Sequence, residues 1–167
     1  LCDVARMTGI KDCYRPARSH PLNQKQVAIH HSEIVGKKYE ESSYIILHLG
    51  GGISVTAHKK GRAVDGNRAG DAQGPISPNR SGDICVDDIA TLMKRGVTFD
   101  EIYEYASNKG GLVDLVGTDD LRKVKEMIAS GDKFAKLSYD AMVYTIIKWT
   151  AMMGGALYGD VDAILMT

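Results

Sequence analysis

Three consecutive glycines, Gly50, Gly51 and Gly52, constrain the fold of this chain more than any other feature of its sequence. An apolar, β-rich run precedes them and a second one follows, which predicts strands at about 43–49 and 53–59 joined by a glycine turn. A Walker A loop and a dinucleotide-binding fingerprint both need a helix directly after their glycines. The second strand therefore excludes both of these nucleotide-binding motifs.

The glycine turn itself has two interpretations that its composition alone leaves open. A run of glycines adopts positive φ without strain, so it can serve simply as the turn of a β-hairpin. Successive glycine amides without Cβ atoms also form a concave set of N–H donors that can bind a phosphate. The position of the turn after a buried strand favours the second interpretation.

Most of the remaining chain is predicted to be helical. Asn23 to Val35 fits a helix closed by Gly36, and Gly61 marks the turn into a third strand at about 62–66. The many glycines and prolines of residues 67–83 exclude a regular element and predict a long loop. The apolar residues that indicate the first helix are Val27, Ala28, Ile29, Ile34 and Val35. Further helices are predicted at Asp87 to Lys94, Asp100 to Tyr105, Thr118 (as N-cap) to about Ala129 and about 133–156, and a last strand at Val161 to Thr167.

The helix at 133–156 has methionine and aromatic residues at helical spacing. Such a stripe is typical of a core face rather than of a cofactor contact. We therefore expect its buried residues to be Ala135, Leu137, Met142, Ile146, Trp149 and Met153.

Charge and cysteine content exclude several classes of function. Lys and Arg balance Asp and Glu at a formal net charge of +0, so no field attracts nucleic acid or an anionic membrane surface. No apolar run approaches the roughly 20 residues that span a bilayer. Cys2, Cys13 and Cys85 lack the paired spacing of zinc and redox sites. We expect structural thiols in a cytoplasmic protein, with neither nucleic acid nor membrane as a partner.

Two side chains accompany the glycine turn as candidate donors. His48 ends the first strand, where it is either a core histidine bonded to backbone or a donor to an anionic group. Arg80 lies in the long loop, where it is either a solvated arginine or a group that stabilises charge on phosphoryl oxygens. The turn, His48 and Arg80 together predict an anion-binding centre.

Several separated segments resemble one protein family in the same order. "HLGGGISVTAHKKGRAVDGN" and "GPISPNRSGD" resemble the butyrate and branched-chain fatty acid kinases, relatives of acetate kinase in the acetate and sugar kinase, heat-shock protein and actin superfamily. "HPLNQK", "GGLVDLVGTDDLRKV" and "DAILMT" are similar to further segments of that family. Acetate kinases typically have an asparagine in the glycine turn, so Gly51 and Gly52 favour the butyrate branch.

The resemblance implies an α/β fold: a ribonuclease H-like (actin-like ATPase) domain with a mixed β-sheet and flanking helices, incomplete in this chain. Residues 1–42 would form the end of the preceding actin-like domain and a connecting helix, and residues 43–167 the first part of the C-terminal nucleotide-binding domain. The absence of an initiator methionine and the strand-like C-terminal run also predict a fragment.

The resemblance also implies a role for each matched residue of the anion-binding centre. Gly50, Gly51 and Gly52 would bind nucleotide phosphates, and His48 and Arg80 would lie at the transferring phosphoryl group. Catalysis would then rest on positioning and charge stabilisation, because a carboxylate nucleophile is already deprotonated at neutral pH.

Further roles are implied on either side of this centre. Asp120, Leu121 and Arg122 would line the nucleoside, and His20 would lie near the carboxylic acid substrate. Apart from the resemblance, Asp120 is equally an ordinary first-turn helix acid, and His20 a loop residue before Pro21.

Some residues match no role in the family. His30 and His31 correspond to no catalytic position, and we expect both on a helix surface. Asn79 and Asp83 stand where many members have other residues, which concerns the local loop geometry rather than the chemistry.

The implied activity transfers the γ-phosphoryl group of ATP, with Mg²⁺, to butyrate or a branched short-chain fatty acid, giving ADP and an acyl phosphate. The alternatives are an acetate or propionate kinase, and an ATP-binding switch module that transfers no phosphate. The metal-organising acids and the first active-site arginine would lie outside this chain, so we expect no metal ligands within it and no activity of these 167 residues alone. The expected partners are the short-chain carboxylate and further copies of the protein in a homo-oligomer.

Overall fold

The computed structural model describes all 167 residues and contains four strands and seven α-helices. The strands are β1 (Ser43–Leu49), β2 (Ile53–Lys59), β3 (Arg62–Gly66) and β4 (Ala163–Met166). The helices are α1 (Asp3–Arg6), α2 (Pro21–Ile34), α3 (Val86–Lys94), α4 (Phe99–Glu104), α5 (Leu112–Val116), α6 (Leu121–Ala129) and α7 (Lys133–Ala156). A 3₁₀ turn forms at Tyr39–Glu41, and a π-helical turn follows α4 at Tyr105–Lys109.

The predicted strands and long helices are confirmed, with differences at some ends. Strands β1 to β3 have their predicted bounds, and residues 67–83 contain neither helix nor strand. The predicted N-cap of α6 is wrong by two residues: Asp120, rather than Thr118, caps the helix by accepting a hydrogen bond from the Arg122 amide. A carboxylate satisfies a free helix amide as well as a hydroxyl does, so both residues suit a cap. The short helices α1 and α5 were not predicted.

The four strands form one mixed sheet in the order β3-β2-β1-β4. β1 and β4 are parallel, with Ile46 opposite Leu165, and β2 and β3 are antiparallel with an irregularity between Ala57 and His58. Most of β1 is buried, which explains its unbroken apolar run from Tyr44.

The chain divides into two compact units. Unit 1 contains Leu1–Leu49, Ser54–Arg68 and Lys148–Thr167, and unit 2 contains Gly50–Ile53 and Ala69–Ile147. The predicted boundary between residues 42 and 43 concerns the two domains of longer family members, and it stays a prediction.

Unit 1 has a core around β1 and α2. Its cluster of buried apolar residues comprises Ala28, Tyr39, Tyr44, Ile46 and Leu165. The side of α2 that enters this unit is nevertheless polar at its two ends, because Gln24 and Ser32 are 0% and 1% exposed.

This polar face of α2 corrects the apolar pattern expected from the sequence. Ala28 is buried as expected, but Ile34 is 69% exposed. The buried hydroxyl of Ser32 is satisfied by the Ala28 carbonyl at 2.9 Å and by the Tyr44 hydroxyl at 2.9 Å. Hydrogen bonds of this kind allow polar side chains to occupy a core position that apolar periodicity assigns elsewhere.

The two histidines expected on the surface of α2 differ in their surroundings. His30 is exposed, as predicted. His31 is half-buried and packs edge-on against the Tyr44 ring, with 5.3 Å between the ring centroids. The prediction for His31 is therefore wrong, because the aromatic ring of β1 covers that side of the helix.

Unit 2 has its own apolar cluster, formed by Leu112, Val124 and Met142 with partly buried neighbours that include Ile146. The predicted core stripe of α7 is confirmed at Ala135 and Met142 in unit 2 and at Trp149 and Met153 in unit 1, which are all at most 4% exposed. Leu137 is 62% exposed and does not belong to the stripe. Its position lies only two residues from Ala135, which places it on another side of the helix.

The cysteines and the helices carry no sign of a disulfide framework or of a membrane span. Cys2, Cys13 and Cys85 are free, and all three are exposed. None of the helices has the length and apolar character needed to cross a bilayer.

His58 gives unit 1 a specific dependence of stability on pH. The side chain is 2% exposed on β2, and its Nδ1 lies 2.7 Å from the Tyr39 hydroxyl. Burial lowers its pKa from 6.5 to about 4. The unfolded chain therefore binds a proton that the folded chain rejects between these values, and stability falls as the pH falls through this window. Over this whole window the free energy of unfolding decreases by about 3 kcal/mol.

Urea titrations of the full-length protein at several pH values between 7 and 4 measure this effect. We expect His58→Asn to lower stability at pH 7 and to flatten its decline between about pH 6.5 and 4. His30→Asn removes an exposed imidazole and should keep the wild-type slope. Equal slopes for wild type and His58→Asn would contradict the assignment.

Candidate active site

The glycine turn after β1 owes two of its glycines to close packing. A Cβ on Gly52 would lie 2.2 Å from Cζ of Arg80, and one on Gly51 would lie 3.1 Å from Nδ2 of Asn79. Neither glycine has φ in the left-handed region, so the need for glycine here is space rather than backbone freedom. The backbone N–H of Asn79 and the hydroxyl of Ser77 both donate to the Gly51 carbonyl, at 3.2 and 2.9 Å. Residues of the long loop therefore pack directly on the turn.

Arg80 is the charged group held against this turn. Its Nε donates to the Ser107 carbonyl at 3.0 Å, which fixes the guanidinium over Gly52. Its Nη1 is buried and has no hydrogen-bond partner, and no carboxylate forms an ion pair with Arg80. A buried guanidinium N–H without a partner costs free energy, which an anionic oxygen would recover. The geometry therefore suits an anion beside Gly52 and Arg80.

His48 lies in unit 1 and stacks on His20. Their ring centroids are 3.9 Å apart and their planes differ by 26°. Nδ1 of His48 lies 3.1 Å from Oδ1 of Asn23, and Nδ1 of His20 lies 2.8 Å from Oγ of Ser54. His20 occupies the N-cap position of α2, with Pro21 as the first helical residue. The start of α2 and the end of β1 thus bring two imidazoles together.

The three residues predicted on the nucleoside side have different surroundings in unit 2. Both carboxylate oxygens of Asp120 accept from the Arg122 guanidinium, at 3.0 and 2.8 Å, and these hydrogen bonds, with that of the Arg122 amide, lower the pKa of Asp120 to about 2. The Arg122 side chain is 88% exposed. Leu121 packs on the apolar cluster of the unit. Asp120 is therefore an ionised N-cap at neutral pH, and its nucleoside role stays a prediction.

The structure thus forms two groups from the predicted site residues. His20 and His48 are in contact in unit 1, and Gly51, Gly52 and Arg80 are packed together in unit 2. Gly50 opens the same turn directly after β1. The assigned phosphate-binding and catalytic roles stay predictions.

Sequence reasoning missed the polar residues that hold these groups in place. They are Asn23, Gln24, Ser54 and Ser77, while Asn79 was linked only to the local loop geometry. One signal was present: His20, Asn23 and Gln24 are spaced by three and four residues, which places them together at the start of a helix. No comparable local pattern indicates Ser54 or Ser77.

Unit 2 also contains a cavity of about 470 Å³ that none of the predicted site residues lines. Apolar side chains dominate its wall, including Ile84, Leu92 and Leu115, with Asp83 and Asp114 among them. The candidate active site is therefore distinct from this cavity.

The chain has a mixed α/β fold. Comparison with known proteins places it in one family. The chain belongs to the Acetokinase family, whose sequence model matches residues 14–167. The predicted resemblance is thereby confirmed. Crystal structures of an acetate kinase from Porphyromonas gingivalis and of a propionate kinase from Francisella tularensis subsp. tularensis SCHU S4 are both 27% identical to the chain, with TM-scores of 0.77.

These matches confirm the expected fold class, an incomplete ribonuclease H-like α/β domain. The Porphyromonas match covers 90% of this chain and 42% of that chain, and the Francisella match 87% and 38%. An acetate kinase structure from Entamoeba histolytica has a TM-score of 0.84 at 21% identity, over 99% of this chain and 45% of that one, and supports the fold alone.

Curated sequences extend the comparison to butyrate kinases. The protein named "Probable butyrate kinase" in Clostridium botulinum (strain Eklund 17B / Type B) is 42% identical over 100% of this chain and 47% of its own length. "Butyrate kinase 1" of Clostridium acetobutylicum is 38% identical over the same shares of the two chains. The chain thus spans about half the length of the curated relatives that it matches.

Proposed function

We propose that the full-length protein is a carboxylate kinase that transfers the γ-phosphoryl group of ATP to butyrate or a branched short-chain fatty acid. The products are ADP and an acyl phosphate. The observation that carries the proposal is the guanidinium of Arg80, which lies on Gly52 without a carboxylate partner and with a buried Nη1 that lacks a hydrogen bond. Similarity to butyrate kinases of Clostridium supports the choice of acceptor.

Arg80 suits the phosphates of ATP because its guanidinium lies on Gly52 and its buried Nη1 has no hydrogen-bond partner. In this proposal the amides of the glycine turn bind the phosphates beside it. A guanidinium neutralises charge that spreads over the phosphoryl oxygens during transfer. The carboxylate attacks phosphorus and the ADP oxygen leaves, so the reaction needs no strong general base. In this proposal His48 donates a hydrogen bond to the transferring phosphoryl group, and His20 lies near the carboxylic acid substrate.

Mg²⁺ would reach this reaction through residues that are not in this chain. The chain holds no group of three His, Cys, Asp or Glu side chains that could bind a metal ion. Mg²⁺ bound with ATP supplies charge neutralisation at the phosphates. The placement of the metal ligands in other parts of the protein belongs to the proposal.

We also propose that the protein is cytoplasmic and forms a homo-oligomer. The free, exposed cysteines suit a reducing cytoplasm. The homo-oligomer is expected from the family resemblance, and sedimentation of the full-length protein would test it.

Substrate-dependent turnover of the full-length protein tests the proposed activity. ADP release and acyl hydroxamate formation are measured with ATP alone and with acetate, propionate, butyrate or isobutyrate. We expect the highest kcat/KM with butyrate or isobutyrate. A higher kcat/KM with acetate or propionate would make that acid the acceptor instead of butyrate. Slow ATP hydrolysis that none of the acids stimulates would favour the ATP-binding switch module.

His48→Ala in the full-length protein should lower kcat by about 10²-fold, because a donor to the transition state is lost. The affinity for ATP should change much less. His30→Ala is the matched control, since it removes an exposed imidazole from α2 and should keep wild-type kcat. Normal kcat with weakened ATP binding in His48→Ala would make this residue a ground-state contact.

A further inference from the structure

A buried glutamine determines the direction of the hydrogen bonds behind His20. Gln24 is 0% exposed, and its Nε2 lies 3.0 Å from Ser54 Oγ, 3.4 Å from the Ser54 carbonyl and 3.5 Å from the Ile46 carbonyl. Carbonyl oxygens only accept hydrogen bonds, so the NH₂ group must face them. The opposite amide orientation would place Oε1 against two carbonyl oxygens. Gln24 is therefore a donor towards Ser54.

The donor role of Gln24 also determines the direction of the hydrogen bond between Ser54 and His20. Ser54 is 0% exposed, and its Oγ has two partners, Nε2 of Gln24 at 3.0 Å and Nδ1 of His20 at 2.8 Å. A hydroxyl has a single proton. Because Gln24 is a donor, the Ser54 proton finds its acceptor in Nδ1 of His20. The reverse direction would leave a buried hydroxyl proton without a partner, which native structures avoid.

We propose that Gln24 and Ser54 are positioning residues that hold neutral His20 as the tautomer protonated on Nε2. An imidazole whose Nδ1 accepts a hydrogen bond carries its proton on the other ring nitrogen. His20 is then uncharged, so it places no positive charge beside the ring of His48, whose centroid is 3.9 Å away. An uncharged N–H can still donate a hydrogen bond to a carboxylate oxygen. This role in the reaction rests on the proposed function, whereas the tautomer does not.

The folding of α2 explains why these residues meet. The backbone N–H of Gln24 donates to the His20 carbonyl at 3.0 Å in the first turn of the helix, so the glutamine side chain lies near the imidazole that precedes it. Ser54 is the second residue of β2, directly after the glycine turn and Ile53. The side chains of His20 and Gln24 at the start of α2 thus meet the Ser54 hydroxyl within unit 1.

The tautomer is measured by long-range ¹H–¹⁵N spectra of the full-length protein labelled with ¹⁵N-histidine, with His20→Gln to assign the signals. We expect the wild-type spectrum to show His20 with unprotonated Nδ1 and protonated Nε2. Ser54→Ala should give a mixture of tautomers, and Ser54→Thr, which keeps the hydroxyl, should restore the wild-type pattern. A proton on Nδ1 in the wild type, or an unchanged spectrum in Ser54→Ala, overturns the proposal.

Kinetics test the link to catalysis. Ser54→Ala should lower kcat by about tenfold with little change in KM for ATP, and Ser54→Thr should recover most of it. Ser32→Ala removes another buried hydroxyl, from α2 itself, and should leave both kcat and the His20 spectrum unchanged. Unchanged kcat in Ser54→Ala overturns the positioning role. Wild-type protein with the Nε2–H tautomer but without carboxylate-dependent turnover would instead overturn the proposed function.

Discussion

Arg80→Ala in the full-length protein is expected to lower kcat by about 10²- to 10³-fold while the affinity for ATP changes much less. The guanidinium is held over Gly52 by the Ser107 carbonyl and has no carboxylate partner, so its charge is available to a phosphoryl group. Steady-state kinetics with saturating carboxylate, together with equilibrium binding of ATP, separate the two effects.

Arg80→Lys should recover only part of the lost rate. An ammonium keeps the charge, but it cannot reproduce the planar set of donors that faces phosphoryl oxygens. Arg95→Ala provides the matched control because this arginine is exposed at the end of α3. A normal kcat in Arg80→Ala, with a large loss of ATP affinity or of thermal stability, would contradict a transition-state role.

The second large effect is expected from Gly52→Ala, which should lower kcat nearly as much as Arg80→Ala. A Cβ at this position would lie 2.2 Å from Cζ and 2.3 Å from Nη1 of the arginine, closer than atoms can approach, so the guanidinium must move. Loss of its position by about 1 Å is enough to remove most of a charge-stabilising effect.

A double-mutant cycle identifies the cause of this loss. Gly52→Ala should cost less than about twofold in kcat when Arg80 is already alanine, because the displaced side chain is absent. Gly155→Ala, whose Cβ would meet nothing within 4 Å, controls for the added methyl group. Additive losses in the double variant would show that Gly52 acts through the backbone of the turn and not through Arg80.

Local patterns were sufficient for all the elements except the short helices α1 and α5, and for the candidate residues. Apolar runs bounded by glycines predicted β1 to β3 at their observed ends, because turn and strand preferences act over a few residues. The same local reading, helped by family resemblance, selected His48 and Arg80. It also gave the glycine turn a phosphate-binding role, but it could not reveal which side chains lie against Gly51 and Gly52.

The sequence by itself thus determined the order of the four strands and the five longer helices, the long loop and the family of this protein. Only the tertiary structure decided that α2 buries Gln24 and Ser32 while Ile34 is exposed, and that Ser54 connects Gln24 to His20. Periodicity assumes that buried faces are apolar, and that assumption fails where a polar side chain finds its hydrogen-bond partners in a distant segment. Those partners are brought together by packing of the sheet and the helix, so no local pattern contains them.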